Sequence, residues 1–434
     1  MSQYEAYYPL WEKLNIDAAK LEGALGAAQK RHADLFLTQA DRPKAMGYFD
    51  DLWGNLQTGR IAELDKLKSE GKPLVGTFCI FVPEESVTAA GGACYGLCSG
   101  SPASIPEAEK ELPRNICPLI KSAHGFKLLR VCGYTQSSDF IYGETTCEAK
   151  KKTWEILAKH HPVHVMHIPQ KKDEKSMRLW REEVEEFQEH IEEVVGRKLS
   201  FEEHKKGVEI INAKRKALRR LDALRGMHGD IMPISGLDSL LVMQLSFIDE
   251  PVRFTEALNT LCDELEERIN AQKSVFEKET TRLMILGTPF AAPNWKLHQI
   301  VESSGGAIVN EESCIGHRYF KDDVNLEGVT TNEELTARMM ERYKNIDCAC
   351  FTPNEARIEK IVKMHKERQT DGVIYYTLSF CHTYNVESHL VAEAMKKEGI
   401  PFLAIESDYS PEDAGQIKTR VEAFIESIRL KRGA

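Results

Sequence analysis

Two series of short apolar runs, each separated by helix-length polar segments, constrain this chain more than any other feature. The first series opens after Pro73 with Leu74-Val75-Gly76-Thr77-Phe78-Cys79-Ile80-Phe81-Val82, the kind of run made by a strand buried on both faces. Leu128–Val131, Asp139–Tyr142 and Val163–Ile168 are further strand candidates, with helix-period stretches at Cys147–His160 and Glu174–Val195. The second series starts at Arg282–Gly287 and continues through Ala307–Asn310, Gly372–Phe380 and Pro401–Ile405. Strands alternating with helices of about a dozen residues predict parallel sheets. The expected fold is therefore α/β, with two doubly wound (Rossmann/flavodoxin-like) domains. Leu10, Leu14, Ala18 and Leu21, then Phe49, Leu52, Trp53 and Leu56, recur at helical spacing, and residues 200–279 read as almost wholly helical. The expected division is a helical N-terminal segment (1–70), a first α/β domain (71–235), a helical bridge (236–280) and a second α/β domain (281–434).

Charge narrows the partners. The net charge is −10, with acidic and basic residues interleaved, whereas nucleic-acid binding needs a concentrated basic face. No apolar run is long enough to span a bilayer. Met1-Ser2-Gln3-Tyr4-Glu5 lacks the basic and apolar regions of a signal peptide. A cytoplasmic location is expected, with neither nucleic acid nor membrane as partner.

Eleven cysteines remain to be explained. A reducing compartment argues against a disulfide framework, and a lone buried cysteine is only a small hydrophobe, so position has to decide. Three share one setting. Cys117 precedes a helical stretch, Cys147 opens the helix after Phe140–Thr146, and Cys381 opens the helix His382–Lys397 after the strand Val373–Phe380. Open α/β sheets bind ligands beyond the carboxyl ends of their strands. A helix amino terminus favours a thiolate and an anionic ligand. Three such cysteines, supplied by two domains, point to one shared metal–sulfide cluster. Zinc is the competing metal, but Cys94-x3-Cys98 and Cys348-Ala349-Cys350 do not make two tidy ligand pairs. His164 and His167, on a strand, would face opposite ways.

Four motifs carry a family resemblance over roughly residue 70 to the end. They are Gly76-Thr77-Phe78-Cys79 through Val82-Pro83-Glu84-Glu85; Leu112-Pro113-Arg114-Asn115-Ile116-Cys117-Pro118; Gly143-Glu144-Thr145-Thr146-Cys147-Glu148; and Phe380-Cys381-His382-Thr383-Tyr384 within Asp371–Phe424. In these the chain resembles the 2-hydroxyacyl-CoA dehydratase / benzoyl-CoA reductase superfamily. The resemblance implies Cys117, Cys147 and Cys381 as ligands of a [4Fe–4S] cluster. The surplus thiols resemble the superfamily's double-cubane cluster proteins, in which six cysteines hold an [8Fe–9S] cluster. The six expected here are Cys98, Cys117, Cys132, Cys147, Cys350 and Cys381. Cys348 and Cys314 are the substitutes, and Cys79 reads as a core thiol. On that assignment, removing Cys132 should leave no more than one cubane.

The resemblance further implies an oxygen-sensitive iron–sulfur oxidoreductase, a homodimer that reduces a small molecule. Its electrons would come from a separate ATP-hydrolysing iron–sulfur activator, since the chain has no G-x-x-x-x-G-K-[ST] phosphate loop. Lys121, Glu144, His382 and Tyr384 lie within four residues of an expected ligand, as candidate hydrogen-bond or proton donors. Two alternatives accompany this reading: a 2-hydroxyacyl-CoA dehydratase subunit with one [4Fe–4S] cluster, and a non-catalytic iron–sulfur carrier.

Overall fold

The computed structural model describes residues 2–432. Met1, Gly433 and Ala434, at the ends of the expected first and last segments, lie outside the described residues. The expected α/β architecture is present as two four-stranded sheets, each wholly parallel. The first contains β1 (Leu74–Thr77), β2 (Ala93–Gly96), β3 (Phe140–Glu144) and β4 (Val163–Met166), in the order β2-β1-β3-β4. The second contains β5 (Thr281–Gly287), β6 (Gly306–Glu312), β7 (Gly372–Leu378) and β8 (Phe402–Ser407), in the order β6-β5-β7-β8. The two orders are the same, an internal correspondence that the sequence does not display.

Three expectations change. The first apolar run is a strand only to Thr77. Beyond it the Phe78 carbonyl turns to accept from Cys98 Sγ at 3.2 Å and Lys150 Nζ at 3.4 Å. Leu128–Val131 is not a strand, because the helix Pro118–Leu129, begun by a proline at its first position, runs through it and ends at Arg130 with φ 58°. A four-residue stretch with three apolar residues fits a helix end as well as a strand. Conversely, Ala93-Cys94-Tyr95-Gly96 is a strand that no local propensity announces. Its pairing with β1 creates it.

Residues 2–70 are helical for the most part, and Phe36 and Trp53 each pack against Trp295 with ring centroids 4.9 Å apart. The long helix Phe201–Gly226 passes beside both sheets and makes buried ion pairs to each side. Its Lys214 reaches Glu84 at 2.6 Å and its Arg215 reaches Glu85 at 2.6 Å, next to β1. Its Arg225 pairs with Glu311 of β6 at 3.1 Å. Glu84 and Glu85, at the first turn of Glu84–Ala89, are therefore tied down by this helix. Breaking such buried pairs costs about 3–5 kcal/mol each, which fixes how the two halves meet. Among the described residues no helix is long and apolar enough to cross a membrane.

Gly143 shows how tightly the first sheet is packed. A Cβ there would lie 2.7 Å from the Trp154 ring, on the helix that Cys147 caps. Gly143→Ala should cost about 1–3 kcal/mol through overpacking, read as a lower denaturant midpoint with an unchanged slope.

Candidate functional site: a cysteine-lined cavity

The carboxyl ends of both sheets face one cavity of about 270 Å³. Eight cysteines line it. Cys79, Cys98, Cys117 and Cys147 come from the first half, and Cys314, Cys348, Cys350 and Cys381 from the second. Local structure explains their places. Cys79, Cys98 and Cys147 follow β1, β2 and β3, while Cys314 and Cys381 follow β6 and β7. Cys117, Cys147 and Cys381 are each the N-cap residue of the helix that comes next. At Cys117 the consequence is direct. Its contact with Cys381 and the amide donors of Leu119 and Ile120 outweigh burial and hold its thiol below the ordinary value.

Five of the six expected ligands are brought together: Cys98, Cys117, Cys147, Cys350 and Cys381. Cys132 is not. It caps the short helix Gly133–Ser137, whose start is held by the Gln57 side chain accepting from Gly133 N at 2.7 Å. It lies outside the cavity because the helix that Cys117 opens separates the two positions by a full helix length. Cys314 and Cys348, the two substitutes, line the cavity instead, and so does Cys79.

The thiols touch across the junction. Cys117 meets Cys381 and Cys79 meets Cys314, each pair joining the two halves, while Cys348 meets Cys350. All eleven cysteines are free of disulfides. Among the described residues no three thiols bring their sulfurs within 4.8 Å of one another. That spacing is too wide for a single zinc ion, whose bonds to sulfur are about 2.3 Å. Many soft thiolate donors spread around one cavity suit a larger iron–sulfur group.

Two cations face these sulfurs. Lys150, in the first turn of Glu148–Leu157, lines the cavity and forms a buried ion pair with Glu144. Burial opposes its charge, but Glu144 and the thiols of Cys79, Cys98 and Cys147 outweigh that and hold it protonated. Arg318 donates to Cys314 Sγ at 3.3 Å and to the Tyr384 hydroxyl. The same hydroxyl lies 3.5 Å from Cys348 Sγ. Arg318 also bonds Glu312 twice at 2.9 Å, and Arg357 bridges Glu312 and Glu387. Burial pushes the Glu312 carboxyl up, yet the two guanidiniums prevail and bring it down to about 2.

The candidate proton donors divide. Tyr384 and the exposed His382 line the cavity. Glu144 reaches it only through Lys150, and burial pushes its carboxyl up. Lys121 turns away, donating to Glu109 at 2.9 Å and to the Arg114 carbonyl at 2.8 Å. Lys150 and Arg318 are the residues that sequence reasoning missed. Lys150 lies two residues past Gly143–Glu148, in the continuation of that motif to Lys152 and three residues after Cys147, but nothing local marks Arg318. At the mouth stands Phe380, 44% exposed with φ 63°. That left-handed conformation is costly for a bulky residue and is of the sort retained at functional sites.

The family model for the 2-hydroxyglutaryl-CoA dehydratase D-component matches residues 79–428. An Escherichia coli (strain K12) protein named "Putative dehydratase subunit YjiM" is 38% identical over 387 residues, covering 88% of this chain and 97% of its own. The (R)-phenyllactyl-CoA dehydratase beta subunit of Clostridium sporogenes is 23% identical over 88% of this chain and 98% of its own. A benzoyl-CoA reductase subunit of Thauera aromatica is 21% identical over 81% of this chain and 89% of its own.

Burial decides what the charges near the cavity are worth. Arg318→Met strands the fully buried Glu312 on one guanidinium and should cost about 3–5 kcal/mol. Arg178→Met, at an exposed helix pair with Glu174, should cost less than about 0.5 kcal/mol. Anaerobic denaturant titrations of both variants against wild type check the contrast.

Proposed function

The chain belongs to the 2-hydroxyglutaryl-CoA dehydratase D-component family, within the 2-hydroxyacyl-CoA dehydratase / benzoyl-CoA reductase superfamily, and we propose that it is the electron-accepting iron–sulfur component of a two-protein reductase, holding a double-cubane cluster. The observation that carries this reading is the number and origin of the thiols. A single cubane with an open iron uses three protein sulfurs, and here eight line one cavity.

The matching strand orders support a choice of six among them. Cys98 and Cys314 follow β2 and β6, which hold the same place in their sheets, and Cys147 and Cys381 follow β3 and β7. Cys117 lies between β2 and β3, as Cys348 and Cys350 lie between β6 and β7. The proposed ligands are thus Cys98, Cys117, Cys147, Cys314 and Cys381 with one of the Cys348–Cys350 pair, Cys350 being the first choice. Cys314 takes the place given to Cys132. Cys79 follows β1, and the corresponding position after β5 carries Thr288-Pro289, which sets Cys79 outside the paired set. The contact of Cys117 with Cys381, and the nearness of Cys147 to Cys117, favour these three as one cubane's ligands.

When bound, such a cluster supplies single electrons at low potential to a small substrate. The chain's own groups have simpler tasks. Lys150 and Arg318 offset negative charge inside a low-dielectric cavity. Tyr384 and His382 offer O–H and N–H donors to what enters. Leu119, Phe247, Pro289 and Ile315 line the remaining wall and exclude water. ATP hydrolysis is assigned to a separate iron–sulfur activator, because no phosphate-loop motif occurs in the sequence. A homodimer in the cytoplasm is part of the same proposal.

A second reading, a CoA-ester dehydratase subunit with one [4Fe–4S] cluster on Cys117, Cys147 and Cys381, is favoured by the names of the relatives. Iron content in cysteine variants separates the two. Cys132→Ala should keep the parent's iron, and Cys314→Ala and Cys381→Ala should each lose about half or more. Full iron in Cys314→Ala with loss in Cys381→Ala would leave the single-cubane reading standing.

A further inference from the structure

Outside the cysteine cavity, Glu111, His124 and His160 direct three potential ligand atoms at one point, all within 4.8 Å of one another. We propose that these residues form a second metal site, for a divalent cation of the zinc class, that clamps two helices whose far ends carry cluster ligands.

The geometry is specific. Nε2 of His124 lies 2.9 Å from Glu111 Oε2, and Nε2 of His160 lies 2.9 and 3.0 Å from the two Glu111 oxygens. Both imidazoles thus present the same ring nitrogen to one carboxylate, with ring centroids 6.0 Å apart. Two imidazoles and one carboxylate are a donor set that zinc takes with its fourth position open to water. The access is also right. His124 is 1% exposed, while the side chains of Glu111 and His160 are 32% and 31% exposed, so a cation can enter from solvent and find a rigid inner ligand.

The location gives the site a purpose. His124 sits on the helix Pro118–Leu129, which Cys117 caps, and His160 lies just past the helix Glu148–Leu157, which Cys147 caps. Glu111 belongs to the segment leading from the short helix Ile105–Ala108 toward Cys117. None of the three lines the cysteine cavity. A cation here would cross-link the outer ends of two helices whose amino ends deliver thiols to the cavity. Its effect is mechanical, a tighter hold on the spacing of Cys117 and Cys147, and it requires no particular cluster.

The test uses anaerobically purified, cluster-loaded protein, so that the cavity thiols are occupied. It is dialysed against zinc alone, with iron measured before and after. The expected result is about one zinc per chain at unchanged iron, with a zinc X-ray absorption spectrum showing nitrogen and oxygen near 2.0–2.1 Å and no sulfur near 2.3 Å. Glu111→Gln and His160→Gln, both at partly exposed positions, should fold, keep their iron and weaken zinc binding by at least ~10-fold. No retained zinc, sulfur in the zinc shell, or equal affinity in both variants would overturn the site. The outcome is independent of whether the cavity holds one cubane or two.

Discussion

Two parallel sheets held with their carboxyl ends toward each other are the constraint on which the rest of the molecule depends. A parallel strand delivers its chain to one edge of the sheet, and the following helix starts there with free N–H groups and a partial positive charge. Cys147 and Cys381 each occupy that junction as the cap residue, and Cys117 caps a helix amino end without a strand directly before it. Facing the two edges across one cavity turns scattered cysteines into a common donor set. The facing arrangement is kept by buried pairs from the helix Phe201–Gly226, with Lys214 and Arg215 on one side and Arg225 on the other.

Electrostatics then favours an anionic occupant. Eight sulfurs in an apolar cavity are a poor place for thiolate charge unless cations oppose it. Lys150 and Arg318 do so, one from each half. Each is anchored in turn, Lys150 by Glu144 and Arg318 by Glu312. Arg357 and Glu387 extend the second network away from the cavity. Such networks are costly to bury and lose several kcal/mol if one partner is removed, so the positions of both cations are rigidly set.

Much of this was legible in the sequence, for identifiable reasons. Short apolar runs between helix-length polar segments mark parallel-sheet strands, so seven of the eight strands were expected at nearly their observed places, β2 being the exception. Of these, β1, β3, β5, β6 and β7 are buried throughout, while the edge strands β4 and β8 are partly exposed. The helices Glu174–Val195 and His382–Lys397 were expected with their observed bounds, because their polar periodicity is long and uninterrupted. Cys147 and Cys381 stood out because a strand end and a helix start are both local signals, and Cys117 because it precedes a helix start. What failed to show depends on contacts distant in sequence. Cys314, expected only as a substitute, lies just past the end of β6 with no helix opening at it, and the pairing of β6 with β5 brings it to the cavity. Cys132 was expected as one of the surplus thiols that the family resemblance implies as ligands, and the short helix Gly133–Ser137 that it precedes leaves it off the cavity lining. Nor could spacing reveal that Arg318 reaches across to Tyr384, sixty-six residues away.

The central claim is that both halves contribute ligands to one large cluster, rather than one triad of thiols to a small one. Iron and acid-labile sulfide per chain, measured on anaerobically purified wild-type protein, test it most directly. The double-cubane assignment calls for about eight irons and about nine sulfides. About four of each would contradict it and leave the surplus cysteines as lining without iron.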